Sequence, residues 1–241
     1  MYTLTSVSYK DLSGRWYEKQ TPRAFRGVAL SNEIAPVRLP PSYKGQKHFP
    51  GYLFFSSLNR LISYESRLEG TILLQLDFNK SIKCVVAQPC VMHYKLEKKR
   101  FRHTPDYFIQ YDNGSNEIIN VKPQRYLTTE RNMRAFKACA AAANELGWAY
   151  TTRCELDPAL LANLRWLSGY RYQPRFLEEY GPLLIERATD APTIEEIVKA
   201  INGYPALIRP VLFHLIWNRI LQVDMYKFMT NSTAVFLPRK E

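Results

Sequence analysis

At 241 residues, with 46% hydrophobic and 23% charged residues, the chain can bury one large core or two smaller ones and falls outside the disordered and fibrous classes. Its 33 Lys and Arg against 22 Asp and Glu leave a net charge of +11, a bias toward polyanionic partners, among which nucleic acid is the commonest in a cell. No apolar run approaches the roughly 18 residues that cross a bilayer, and the opening MYTLTSVSYKDLSGRWYEKQ has no apolar stretch behind its charges, so a cytoplasmic protein with no membrane partner is expected.

Residues 1–50 show little periodicity and scatter Pro and basic residues through TPRAFRGVALSNEIAPVRLPPSYKGQKHFP; they read as a basic, loop-rich N-terminal arm. Order is expected from Gly51. YLFFSS has strand character, and SYESRLEGTILLQLDF reads as an amphipathic helix in which Leu61, Tyr64, Leu68, Ile72 and Leu76 recur every three or four residues. Ser63 or Ser66 can cap its start, and Ser66 with Glu69 three positions on forms a capping-box pattern. Next come IKCVVAQ, CVMHYKL, DYFIQY and EIINVK, all of strand character, with DNGSN between the last two as a tight hairpin turn. TTERNMRAFKACAAAANELG predicts a helix begun by Thr128 or Thr129 and closed by Gly147, and WAYTTRCEL one more strand. This order predicts an α/β core over 51–156.

From Asp157 on, DPALLANLRWL, PRFLEEYGPLLIERA, TIEEIVKAI and ALIRPVLFHLIWNRIL are helical, and STAVFLP resembles a short strand. A helical, winged-helix-like C-terminal domain over 157–241 is one reading, and a plain helical bundle is the other. The basic tail PRKE is a candidate partner surface. Cys84, Cys90, Cys139 and Cys154 form no CxxC pair, so they are expected to be structural thiols.

The segment HTPDYFIQYDNGSNEIINVKP carries the sharpest chemistry. A hairpin brings Asp106, at the start of one strand, beside Lys122, at the end of the next. Asn120 and Lys122 are two apart and share a strand face. Glu69 can reach in from the preceding helix. Carboxylate and carbonyl oxygens are hard ligands suited to Mg²⁺, with Mn²⁺ as a substitute. Asp106 is the foremost ligand, helped by Glu69, the main-chain carbonyl of Val121 and the Asn120 carboxamide. A bound ion can acidify water and offset charge on a phosphodiester, while Lys122 orients or deprotonates the attacking water. Arg100, Arg102 and His103 precede the aspartate and can contact flanking phosphates; a solvated basic edge strand is the alternative. Gln88 is a candidate for placing the first strand of the site, or a structural residue at a strand end. His93 stands alone and is given no metal role.

The pattern PD, hairpin, xxK resembles the PD-(D/E)xK nuclease superfamily. Over 51–156 the chain also resembles the N-terminal nuclease domain of the TnsA family, the endonuclease subunits of heteromeric cut-and-paste transposases. The matching features are the ESxLE pattern ending in Glu69, the Gln-Pro of AQP, TPDY and the VK ending. The resemblance implies a restriction-endonuclease-like core, a catalytic Glu69, a metal-binding Asp106 and the lysine Lys122. It implies Mg²⁺-dependent cleavage of the 5′ ends of a transposon in double-stranded DNA. It also implies a TnsB-like transposase that cuts and joins the 3′ ends and a TnsC-like AAA+ ATPase that regulates both. The chain departs from the family pattern at Asn120, where Glu or Gln is usual. A free-standing restriction or repair nuclease, and a DNA-binding scaffold with a vestigial site, are the competing readings.

Overall fold

The computed structural model describes residues 3–30, 33–40, 43, 45, 46, 49–96, 98–190 and 192–238. They divide into two compact units, one of Met1–Leu73 with Ser81–Glu155 and one of Leu74–Lys80 with Leu156–Glu241.

The first unit opens with β1 (Thr3–Asp11), β2 (Trp16–Gln20), the helix α1 (Pro22–Leu30) and the short β3 (Ile34–Ala35). β4 (Gly51–Phe55) and β5 (Arg60–Tyr64) form a hairpin and lead into α2 (Arg67–Asp77). β6 (Ile82–Ala87), β7 (Val91–Leu96), β8 (Lys99–His103), β9 (Tyr107–Tyr111) and β10 (Asn116–Val121) follow, then α3 (Glu130–Leu146) and β11 (Ala149–Arg153). One sheet has the order β2-β1-β7-β8, with β3 beside β1; the other runs β11-β10-β9-β6. β10 and β11 are parallel, and α3 makes the crossover that a parallel pair requires.

The segment read as an N-terminal arm is instead core. β1 lies between β2 and β7, and Leu4, Val7 and Tyr9 pack with Phe25, Ala29 and Ile34 in the same buried cluster as Cys139, Ala142 and Trp148. Its register slips between Leu4 and Ser6 against β7 and between Val7 and Tyr9 against β2. Each bulge breaks the period-2 alternation, so the strand has no clean sequence pattern. A second correction concerns α2. Leu61 and Tyr64 belong to β5, Leu61 is 65% exposed, and the helix starts after Ser66.

Other local expectations match the elements found. The β9–β10 hairpin turns through Gly114 at φ +79°, while the Asn113 carboxamide accepts from the Ser115 N–H at 2.9 Å. Gly147 closes α3 in the left-handed conformation at φ 72°. The four cysteines are free, three of them buried.

In the second unit the helices are α4 (Pro158–Leu167), α5 (Leu177–Arg187), α6 (Ile194–Lys199) and α7 (Pro205–Trp217). Asp157 caps α4 by accepting from Ala159 N and Leu160 N, and Thr193 with Glu196 forms a capping box on α6. From Val211 to Trp217 every residue of α7 is buried. STAVFLP makes no strand; among the described residues it forms two isolated antiparallel bridges, Thr193 to Ala234 and Gln222 to Phe236. Within PRKE, residues 239–241 lie outside the described residues. No described helix is long and apolar enough to cross a membrane.

Candidate active site

The first unit holds a cavity of about 730 Å³ lined by Glu69, Asp106, Val121 and Lys122, together with Arg38, Glu65, Ser66, Arg102 and His103. Three strand ends and one helix start converge there. α2 supplies Glu69 from its first turn. The Ser66 hydroxyl accepts from the Glu69 N–H at 3.2 Å, and the Glu69 carboxylate reaches back to the Glu65 N–H at 2.8 Å and the Ser66 hydroxyl at 2.9 Å. The capping geometry read from Ser66 and Glu69 therefore turns the carboxylate toward the start of the helix, where it lines the cavity.

Asp106 is anchored by the sheet. Its N–H donates to Ile119 O at 3.1 Å, its carbonyl accepts from Gln88 N at 2.9 Å, and its Oδ2 accepts from the Val121 N–H at 2.6 Å. Asp106 thus sits where β10 ends, beside the Val121–Lys122 peptide. Lys122 donates its own N–H to Arg153 O at 2.9 Å and forms no salt bridge among the described residues.

Two buried carboxyl groups in one cavity repel. Glu69 and Asp106 are each 7% exposed. Burial, then the charge of Asp106, raise the Glu69 carboxyl from 4.5 to about 7, against the opposing pull of the Glu65 N–H and the Ser66 hydroxyl. Glu69 and Asp106, neither of which has a salt-bridge partner among the described residues, make the site electrostatically suited to a cation. Among the described residues no group of three His, Cys, Asp or Glu side chains is placed to hold a metal. The available set is two carboxylates plus the Val121 carbonyl. Mg²⁺ fits such a set, since it is commonly bound through one or two carboxylates and keeps waters and substrate phosphate on its remaining positions.

Asn120 stands apart from that set. It is completely buried, with Oδ1 3.1 Å from His103 Nε2 and Nδ2 donating to Tyr150 Oη at 3.0 Å and Cys139 Sγ at 3.4 Å. It is not among the residues that line the cavity, whereas its partner His103 is. Burial lowers the imidazole pKa of His103, but hydrogen bonds to Cys139 and Asn120 and the charge of Asp106 outweigh it and leave the value raised.

β8 is an exposed edge strand, paired among the described residues with β7 alone. Of its basic residues Arg102 and His103 line the cavity, and Arg100 does not. Gln88 is fully buried, held by its backbone between Asp106 O and Val37 N, with φ at 39° and no hydrogen-bond partner for either side-chain amide atom among the described residues. His93 Nε2 pairs with Ser8 Oγ at 3.0 Å. Sequence reasoning missed Arg38 and Glu65, which pair at 2.8 Å on the cavity wall, because Arg38 lies in the stretch with no periodic signal.

Comparison with known proteins agrees with the geometry over part of the chain. Residues 79–155 match the family described as TnsA-like endonuclease N terminal. The match holds Asp106 and Lys122 and stops short of Glu69, so it is narrower than the 51–156 expected. No curated protein matches the chain. Residues 79–155 are thus similar to the TnsA-like N-terminal endonuclease domain, and the match supports a nuclease role for that part of the chain.

Proposed function

We propose that the protein is a Mg²⁺-dependent DNA endonuclease subunit of a heteromeric cut-and-paste transposase, working in the cytoplasm and cutting the 5′ ends of the element. In this reading a TnsB-like transposase cuts and joins the 3′ ends, and a TnsC-like AAA+ ATPase regulates both. The observation that carries the proposal is the convergence of Glu69 and Asp106 in one cavity with Lys122, where burial first and the charge of Asp106 second hold Glu69 near 7.

Glu69, Asp106 and the Val121 carbonyl would hold the ion. When bound, Mg²⁺ supplies charge stabilisation at the phosphate and an acidified water. The side chains do the rest. Asp106, tied to the Val121 N–H, fixes the donor set against the end of β10. Lys122, without an ion pair among the described residues, can turn its ammonium to the developing negative charge of the phosphate or to the attacking water. Arg102, at the cavity edge, offers a guanidinium to a flanking phosphate.

For the second unit we favour a winged-helix-like arrangement. The bridges at Thr193, before α6, and at Gln222, after α7, both run to the segment 234–236. That order is bridge, helix, helix, bridge, with both bridges closing on one returning segment, as a wing would. The burial of α7 from Val211 onward leaves only its first turns to meet DNA.

Excision assays with the partner transposase, the ATPase, Mg²⁺ and mapped cut ends test the proposal. Asp106→Ala and Lys122→Ala should abolish 5′-end cleavage by at least a hundredfold while 3′-end cleavage and complex assembly persist. Full 5′ cleavage by either variant overturns the site. A wild-type protein that assembles but never cuts would favour the scaffold reading.

A further inference from the structure

Asn120 is the position at which the chain departs from the family pattern, and its surroundings say what it does instead. It lies on β10 directly before Val121, whose N–H holds Asp106. The adjoining strand, however, does not turn the Asn120 carboxamide to the cavity. Nδ2 is spent on Tyr150 Oη at 3.0 Å and Cys139 Sγ at 3.4 Å, and Tyr150 Oη is in turn 3.0 Å from Thr152 Oγ1. In this arrangement Oδ1 faces His103 Nε2 at 3.1 Å and accepts from it when that nitrogen carries the proton, so the carboxamide holds the ring by its Nε2 edge.

His103 is the last residue of β8 and lines the cavity of Glu69, Asp106 and Lys122. β8 and β10 belong to different sheets, so the Asn120–His103 hydrogen bond ties the edge of one sheet to the interior of the other beside the candidate site. A fully buried polar network with every amide atom used orders the group at its end. The group at its end is an imidazole on the cavity wall.

We propose that His103 is a catalytic residue of the cleavage reaction, contacting the phosphate group to be cut, and that Asn120 is its positioning residue and not a metal ligand. This rests on the endonuclease reading of the same cavity. The usual acidic or amide ligand at position 120 is replaced by a shorter amide that faces the other way, and its link to the substrate runs through the ring of His103. Hydrogen-bonding partners behind a functional histidine generally matter by factors of ten to a hundred when removed, because they set its orientation and tautomer.

A double-mutant cycle in the assembled excision complex tests the coupling. Single-turnover 5′-end cleavage and its Mg²⁺ dependence are measured for wild type, His103→Ala, Asn120→Leu and the double variant, with Asn120→Ser as a smaller change at the same position and Asp106→Ala as control. His103→Ala is expected to slow cleavage by about a hundredfold. Asn120→Leu is expected to slow it by about tenfold, with an unchanged Mg²⁺ half-saturation. The double variant should be no slower than His103→Ala alone, since Asn120 acts through the ring. Asn120→Ser, smaller and still polar, should lose less than Asn120→Leu. A purely structural Asn120 would lower the melting temperature and multiply the His103→Ala defect. Multiplicative effects, or a Mg²⁺ half-saturation raised severalfold by Asn120→Leu or Asn120→Ser, overturn the proposal. So does wild-type cleavage by His103→Ala. If Asp106→Ala also cleaves normally, the endonuclease reading of the cavity fails instead.

Discussion

Glu69 is asked to do two things that conflict, and replacing it with glutamine separates them. Its carboxyl is raised from 4.5 to about 7 by burial and by Asp106. The folded chain therefore binds this proton more tightly than the unfolded chain does. The direction is opposite to that of an ordinary ion-paired acid. Below about pH 4.5 the group is protonated in both states and costs nothing. Between 4.5 and 7 the unfolded chain ionises and the folded one does not, so stability falls as pH rises. Above 7 the loss is complete at about 3 kcal/mol, and at pH 5 it is about 1 kcal/mol.

Glu69→Gln removes that cost. It also removes one of two acceptor oxygens that serve the Glu65 N–H and the Ser66 hydroxyl, a loss of about 1 kcal/mol. The net gain is about 2 kcal/mol at pH 8 and near zero at pH 5. Thermal melts in EDTA should show the variant about 4–8 °C above wild type at pH 8 and level with it at pH 5. Mg²⁺ should narrow the gap at pH 8 by favouring ionised Glu69 in the wild type, while the variant loses cleavage. A gain of equal size at both pH values, or a variant less stable than wild type at pH 8, would refute the electrostatic account of the site.

Other consequences are separately measurable. Since a cation must displace the Glu69 proton, Mg²⁺ affinity from calorimetric titration should rise about tenfold between pH 6 and pH 8 and level off above that, with protons released on binding below it. An affinity flat across that range would remove Glu69 from the ligand set. Gln88→Met keeps the volume but deletes two buried amide atoms that find no partner among the described residues, so it should raise stability by about 1–2 kcal/mol in denaturant melts. A destabilised variant would mean that the amide is bonded in solution. Asp157→Ala removes the acceptor of two N–H groups at the start of α4 and should cost about 1–2 kcal/mol in the melting of the second unit, leaving Mg²⁺ binding unchanged.

What was legible in the sequence was local. DNGSN dictated the β9–β10 hairpin through Gly114, and that hairpin alone brings Asp106 beside the Val121–Lys122 peptide. Ser66 and Glu69 marked the start of α2, and the same capping contact holds the Glu69 carboxylate at the cavity. What was illegible is tertiary. β1 escaped because its two bulges erase the alternation that marks a strand, although Leu4, Val7 and Tyr9 are core residues. Leu61 and Tyr64 fell by chance on the helical spacing of α2 while belonging to a hairpin strand. The C-terminal strand-like run makes only isolated bridges among the described residues.

Asn120 shows the limit most clearly, since spacing alone put it on the face of Lys122 and its contacts put it elsewhere. Parity along a strand specifies a face, but the end of β10 is where the cavity, α3 and the edge of the other sheet meet, and each competes for the side chain. A carboxylate at 120 would join two others already in repulsion and raise the cost that Glu69 carries at neutral pH. A neutral amide adds no charge, and its hydrogen-bonding capacity is consumed by His103, Tyr150 and Cys139. The exchange lowers the electrostatic burden of the metal-free fold while reducing the oxygen donors to two carboxylates and a carbonyl. Under the proposed function, tight cation binding would then depend on oxygens from outside the chain, which the phosphate of a correctly seated DNA end would provide. Such an arrangement would couple metal occupancy to substrate, and so favour cutting only where the DNA is properly placed.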